Sequence, residues 1–131
     1  MTAENTSGYD SLRCIMEKQK EFAEEREWNQ YHTPRNLVLA LVGEVGELAE
    51  VFQWKSDEMA PPGLSTFSSD EREHLGEELS DVLLYLTRLA DVCGIDLARA
   101  VKDKMDKNAA KYPVNVCKGK SDKYTEYTEM K

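Results

Sequence analysis

Apolar residues recur at helical spacing through most of this 131-residue chain. No stretch alternates apolar and polar residues long enough to make a strand. Leu12, Ile15, Met16, Phe22 and Ala23 predict a first helix over about 9–30. Thr33 before Pro34 supplies an N-cap and a proline at the first helical position, so a second helix starts there and runs to about Trp54. Its apolar stripe, at about 100° per residue, is Leu37, Leu41, Val45, Leu48 and Phe52. Pro61-Pro62-Gly63 breaks the loop that follows. Ser68 with Glu71 reads as a capping box opening a third helix. The stripe of that helix is Leu75, Leu79, Val82, Leu86 and Cys93, and Gly94 closes it. Asp96 caps a fourth helix that stops before Pro113. The fold class expected is all-α, a four-helix bundle.

Length sets one domain as the default. It is placed over 9–113, with a disordered tail at 1–8 and a polar tail at 114–131 in which Tyr124 and Tyr127 are possible docking points. A chain of this size built from a few long helices often completes its core by oligomerising. The net charge of −8 and pI near 4.8 argue against general binding to nucleic acid or an anionic membrane. No apolar run approaches the roughly 20 residues that span a bilayer, and the N-terminus lacks the pattern of a signal peptide. Cys14, Cys93 and Cys117 are odd in number and form no C-x-x-C, which fits reduced thiols and a cytoplasmic location. Cys93, on the apolar stripe, is expected in the core.

Charge becomes specific at two short motifs, E-V-G-E at 44–47 and E-E-L-S-D at 77–81. Each places two carboxylates at i, i+3: Glu44 with Glu47, and Glu78 with Asp81. Such pairs share a helix face. Glu44 lies roughly 60° from the centre of its apolar stripe and Glu47 roughly 120° along the same flank. Glu78, Asp81 and Tyr85 group within about 60° of one another beside the third stripe. Glu50 and Glu77 point nearly opposite and are expected in solvent. Two explanations stand. The acids are ordinary solvated helix faces, or four carboxylates converge and need a hard cation among them. Mg²⁺ takes oxygen ligands and keeps waters and substrate phosphates in its shell. Gly43 and Gly46 cost helix stability, roughly 1 kcal/mol each against alanine, which suggests close approach by a partner helix or a ligand.

Lys104, Asn108 and Lys111 fall on the apolar side of the fourth helix, beside Leu97 and Val101. They are either lysines snorkelling at a core edge or phosphate ligands. Trp28 and Trp54 end the first two helices and His32 lies in the turn between. They are core and surface residues of the usual kind, or a stacking wall with a polar reader for a base. A ferritin-like di-iron site needs two E-x-x-H motifs, and the chain has one, Glu71 to His74. A non-enzymatic helical interaction module accounts for the amphipathic helices but not for the acids beside them.

The text F-A-E-E-R-E-W-N-Q-Y-H-T-P-R-N-L-V-L-A-L-V-G-E-V-G-E-L-A-E-V-F-Q-W-K, with E-E-L-S-D-V-L-L-Y-L, K-M-D-K-N-A-A-K-Y-P and K-Y-T-E-Y, resembles the all-α nucleoside triphosphate pyrophosphatases. This is the MazG-like superfamily, and W-N-Q-Y-H and F-Q-W point to its dCTP pyrophosphatase branch. The resemblance implies Mg²⁺-dependent hydrolysis of dCTP, and of related or modified deoxynucleotides, to the monophosphate and pyrophosphate. It implies metal ligands and catalytic acids at Glu44, Glu47, Glu78 and Asp81. It implies base and sugar contacts at Trp28, His32, Trp54 and Tyr85, and phosphate contacts at Lys104, Asn108 and Lys111. It implies a homotetramer whose subunits complete each site. One departure is visible: close relatives carry a first-helix histidine thought to touch the substrate, and this chain has Gln19 there. A MazG-like pyrophosphatase of different base preference is the alternative within the family.

Overall fold

The computed structural model describes residues 6–121, which are all-helical apart from turns. They divide between Ile95 and Asp96 into two compact units. The first holds α1 (Leu12–Glu25), α2 (Pro34–Phe52) and α3 (Ser69–Val92). Side-chain caps start each helix. Ser11 accepts from Cys14 N–H at 3.2 Å, Thr33 from Asn36 N–H at 3.2 Å, and Ser68 from Glu71 N–H at 3.1 Å. Each such bond satisfies a donor the helix itself leaves open.

The helix α1 ends at Glu25, short of the expected residue 30. Glu27 N–H bonds Glu24 C=O at 3.1 Å and Trp28 N–H bonds Ala23 C=O at 2.9 Å, with Glu27 at φ 55°. That is a Schellman closure, built here without the glycine that would have announced it. The end of α3 repeats it: Gly94 N–H bonds Asp91 C=O at 3.0 Å, Ile95 N–H bonds Ala90 C=O at 2.9 Å, and Gly94 has φ 68°.

In this unit α3 packs against both α2 and α1. Ala23, Leu37, Phe67 and Ala90 form the buried apolar core, with Thr87 and Arg88 buried among them. Between α2 and α3 the chain is tied down rather than loose. Arg72 donates to the carbonyls of Gly63 and Leu64 at 2.9 and 3.0 Å, and Phe67 lies 6.1 Å from Phe52.

The third stripe is turned from its expected phase. The covered side of α3 carries Leu75, Glu78, Val82, Tyr85, Leu89 and Val92, whereas Leu79 and Leu86 are exposed. With two helices against it, α3 draws its polar groups inward and leaves leucines outside. Cys93 is exposed, not core, because the helix stops one residue earlier and Cys93 is its C-cap. Cys14 and Cys117 are also free thiols. On α2, Val38, Leu39, Val42 and Val45 are exposed too. A Cβ added at Gly43 or Gly46 would meet no atom within 4 Å, so no described part of this chain makes the close approach those glycines suggested.

The second unit holds α4 (Leu97–Lys111) and α5 (Val114–Cys117). Asp96 caps α4 by accepting from Arg99 N–H at 3.2 Å, and Lys102 pairs with Asp106 at 3.0 Å. Pro113 ends this run as expected, yet its fixed φ also starts the single turn of α5. That turn was not foreseen. Tyr124 and Tyr127 lie outside the described residues. No described helix is long and apolar enough to cross a membrane.

Candidate active site

The packing of α2 on α3 brings the two acidic motifs together. Carboxylate oxygens of Glu44, Glu47 and Glu78 all lie within 4.8 Å of one another. Glu44 and Glu78 are half-buried and Glu47 is exposed. Glu44 Oε2 and Glu78 Oε2 are buried with no hydrogen-bond partner. An unpaired carboxylate oxygen out of water is unfavourable unless a proton or cation joins it. Burial foremost, then the facing acids Glu47, Asp81 and Glu78, raises the Glu44 carboxyl above its ordinary range. Burial also raises Glu78, with Glu47 and Asp81 adding to the shift. His74, whose Nε2 is 3.9 Å from Glu78 Oε1, pulls the other way. Oxygen donors, acidic charge and two orphaned atoms suit a hard divalent ion.

Asp81 stands outside that trio. It lines a neighbouring cavity of about 340 Å³ together with Gln19, Phe22, Trp28, His32, Tyr85 and Arg88. This volume is within the usual range for small-ligand pockets, about 300–1,000 Å³. Asp81 is therefore shared by the acids, whose charge it augments, and by the aromatic cavity. Trp28 is set by the α1 closure, edge-on to Phe22 at 5.7 Å and 6.2 Å from His32. A smaller hollow of about 250 Å³ is bordered by Glu47, Glu50, Val51, His74 and Glu78. Glu50 is exposed, as its phase requires, yet borders this hollow.

The remaining predicted site residues are Trp54 in the first unit and three residues of α4. Trp54 is 82% exposed and borders neither cavity. Lys104, Asn108 and Lys111 sit on α4 in the second unit, with Asn108 the least exposed of the three.

The structure adds Arg88, which sequence reasoning passed over, and gives Gln19, noted there as a departure from close relatives, its partners. Arg88 is only 6% exposed. Its Nε donates to His32 Nδ1 at 3.0 Å, Nη1 to Asp91 Oδ2 at 3.0 Å, and Nη2 to Asn29 Oδ1 at 2.8 Å. Burial, helped by the Arg88 charge, lowers the His32 pKa. Gln19 is used at both ends: its amide donates to Leu84 C=O at 2.7 Å, and its carbonyl oxygen accepts from the buried Thr87 hydroxyl. The available signal for Arg88 was T-R interrupting the apolar run L-L-Y-L-T-R-L-A, with Arg88 one turn beyond Tyr85 and two beyond Asp81.

An all-helical fold carrying paired E-x-x-E and E-x-x-D motifs on two packed helices defines a class, and the chain belongs to it: residues 40–127 match the MazG-like family. Within that family the chain is 57% identical over 116 residues to dCTP pyrophosphatase 1 of Rattus norvegicus, covering 88% of this chain and 67% of the relative. It is 54% identical over 120 residues to dCTP pyrophosphatase 1 of Bos taurus, covering 92% and 70%. The Homo sapiens dCTP pyrophosphatase 1 is 55% identical over 116 residues, covering 88% and 67%. Among solved structures, a pyrophosphatase from Archaeoglobus fulgidus DSM 4304 superposes with a TM-score of 0.61 at 39% identity, covering 78% of this chain and 92% of that one.

Proposed function

We propose that this chain is a Mg²⁺-dependent pyrophosphohydrolase that converts dCTP, and modified dCTP, to dCMP and pyrophosphate. The observation that carries the reading is the Glu44–Glu47–Glu78 cluster, with two buried carboxylate oxygens lacking partners, beside a cavity walled by Trp28, His32 and Tyr85. The relatives named dCTP pyrophosphatase 1, at 54–57% identity, supply the nucleotide.

Glu44, Glu47 and Glu78 would hold Mg²⁺, with Asp81 as the fourth acid. Bound Mg²⁺ supplies charge neutralisation for the triphosphate and acidifies a water. Water oxygen bonds to the α-phosphorus, the bond from that phosphorus to the bridging oxygen breaks, and pyrophosphate departs with its electron pair. A carboxylate of the cluster accepts the water's proton. Such chemistry asks the protein mainly for positioning and electrostatics. Trp28 offers a face for the base, His32 a polar contact, and Tyr85 a ring that crowds a ribose 2′-hydroxyl. Trp54 as a base contact, and Lys104, Asn108 and Lys111 as phosphate contacts, rest on the family resemblance alone.

The active form is proposed to be a cytoplasmic homotetramer built from the 9–113 domain. Association is supported by the uncovered apolar surface of α2 and α3, with Val42 at 65% and Leu79 at 51% exposure; four subunits and the cytoplasmic location rest on the family resemblance and the sequence reading. Exposed patches of this kind mark interfaces.

Pyrophosphate release from dCTP, 5-methyl-dCTP, dTTP, dATP, dGTP and CTP, with and without Mg²⁺, tests the reading. The expected result is Mg²⁺-dependent turnover with the highest kcat/KM for the cytosine deoxynucleotides. Equal values for dCTP and dTTP would remove the base assignment and leave a pyrophosphatase of other preference. Absence of any hydrolysis would favour an interaction module.

A further inference from the structure

Arg88 is a buried cation that the proposed hydrolysis does not use, and it makes three side-chain hydrogen bonds within one unit of the fold. Its Nη1 and Nη2 are anchored on Asp91 and Asn29, at 3.0 and 2.8 Å. Those two anchors leave Nε aimed at His32 Nδ1, 3.0 Å away. A guanidinium offers five donors and no acceptor, and it stays charged at any working pH. The bond therefore has one possible sense: Nδ1 accepts. A neutral imidazole has one protonated nitrogen, so the proton of His32 is on Nε2. Protonating Nδ1 as well would set donor against donor and a second positive charge beside the first.

We propose that Arg88 is a positioning residue that holds His32 as the neutral, Nε2-protonated tautomer, so that His32 offers the nucleotide base a hydrogen-bond donor and no acceptor. The inference rests on the reading that the cavity of Trp28, His32 and Tyr85 receives the base. Its consequence is a selection rule. Cytosine presents two neighbouring acceptors, O2 and N3. Thymine presents O2 beside an N3–H donor. A donor-only histidine matches the first edge at either atom and opposes the second at N3. Trp28 stacks on any base, so discrimination falls to groups of this kind. Gln19 does not compete for the role, because both ends of its amide are held by Thr87 and Leu84.

The direct test is the ¹⁵N–¹H long-range spectrum of the wild-type histidine side chains, recorded without nucleotide. The two histidines, His32 and His74, are told apart with His74→Gln. The expected His32 pattern is that of a single neutral Nε2–H tautomer. The second arm is Arg88→Met, which keeps the stem and removes the donors. It should release His32 into a mixture of tautomers. The KM for dCTP should rise roughly tenfold, the scale of one lost hydrogen bond, with kcat within about twofold, and the preference for dCTP over dTTP should narrow. A wild-type His32 protonated at Nδ1 overturns the proposal even if Arg88→Met does not fold. So does a folded Arg88→Met protein that keeps the wild-type tautomer and KM. A wild-type Nε2–H signature without dCTP hydrolysis would count against the proposed reaction, not against the tautomer.

Discussion

Two groups of polar side chains meet at Asp81, and they are built on opposite plans. In the cavity around His32, the principal polar side chains are engaged. Arg88 makes three side-chain hydrogen bonds and Gln19 two. Among the acids, the like charges of Glu44, Glu47 and Glu78 crowd together and two of their oxygens are buried and unpartnered. The first arrangement is preorganised: its geometry holds without a ligand. The second is electrostatically unfavourable by itself and becomes favourable when a cation arrives. A satisfied polar network rigidifies, whereas an unsatisfied one stores a preference for what is missing. The difference teaches where each kind of damage will register, in nucleotide affinity on one side and in metal-linked turnover and stability on the other.

The largest effect should come from the acids. Glu47→Gln keeps the volume and removes one charge, and it should lower Mg²⁺-dependent kcat/KM by at least about 100-fold, since changes to mere supporting partners of metal ligands cost 10–100-fold. Circular dichroism should show the helices unchanged. Glu77→Gln, next to the cluster in sequence but fully outside it, should be nearly silent. Equal losses in both would show that the contrast between clustered and unclustered acids is unreal.

Damage to the aromatic side should be smaller and should appear in KM. Trp28→Ala removes a stacking face worth about 1–3 kcal/mol, or roughly 5–150-fold in KM, similar for every nucleotide. Its Mg²⁺ requirement should be unchanged. A variant that loses kcat and keeps KM would tie Trp28 to the metal side instead.

The smallest effect belongs to Thr87→Val, an isosteric change at a fully buried position. It strips the hydroxyl that Gln19 accepts from and should cost about 1 kcal/mol of stability, read from the denaturation midpoint, with kcat unaffected. A large loss of activity would mean that Gln19 acts on the nucleotide directly.

Local chemistry explains how much of this was legible from residues alone. Thr33, Ser68 and Asp96 cap their helices through bonds that span three residues, and the i, i+3 acids share a face by helix geometry. The end of α1 was misjudged because Glu27, not glycine, takes the left-handed turn. Leu79 and Leu86 read as inward because hydrophobicity decides the phase only when a single face is covered, and Cys93 because α3 reads one residue longer than it is. Arg88 was missed for a different reason. Its partners His32 and Asn29 lie 56 and 59 residues away in sequence, so its phase on α3 is legible but its partners are a product of the fold.

The central claim is that the acid cluster is held at a disadvantage until a cation binds, and stability tests it without any turnover. A carboxyl raised above its unfolded value contributes stability that is fully present below the ordinary carboxylate range and lost as pH rises through the raised pKa. Once pH exceeds the raised values, the metal-free protein therefore carries the penalty of ionised Glu44 and Glu78, and Mg²⁺, which binds the ionised acids, relieves it increasingly as pH rises. The measurement is the melting temperature of wild type and Glu78→Gln at pH 7, each with chelator and with Mg²⁺. The wild type should gain several degrees with Mg²⁺. Metal-free Glu78→Gln should melt above the metal-free wild type and gain little from Mg²⁺. A Glu78→Gln protein that melts lower without metal, or that responds to Mg²⁺ as the wild type does, would contradict the account.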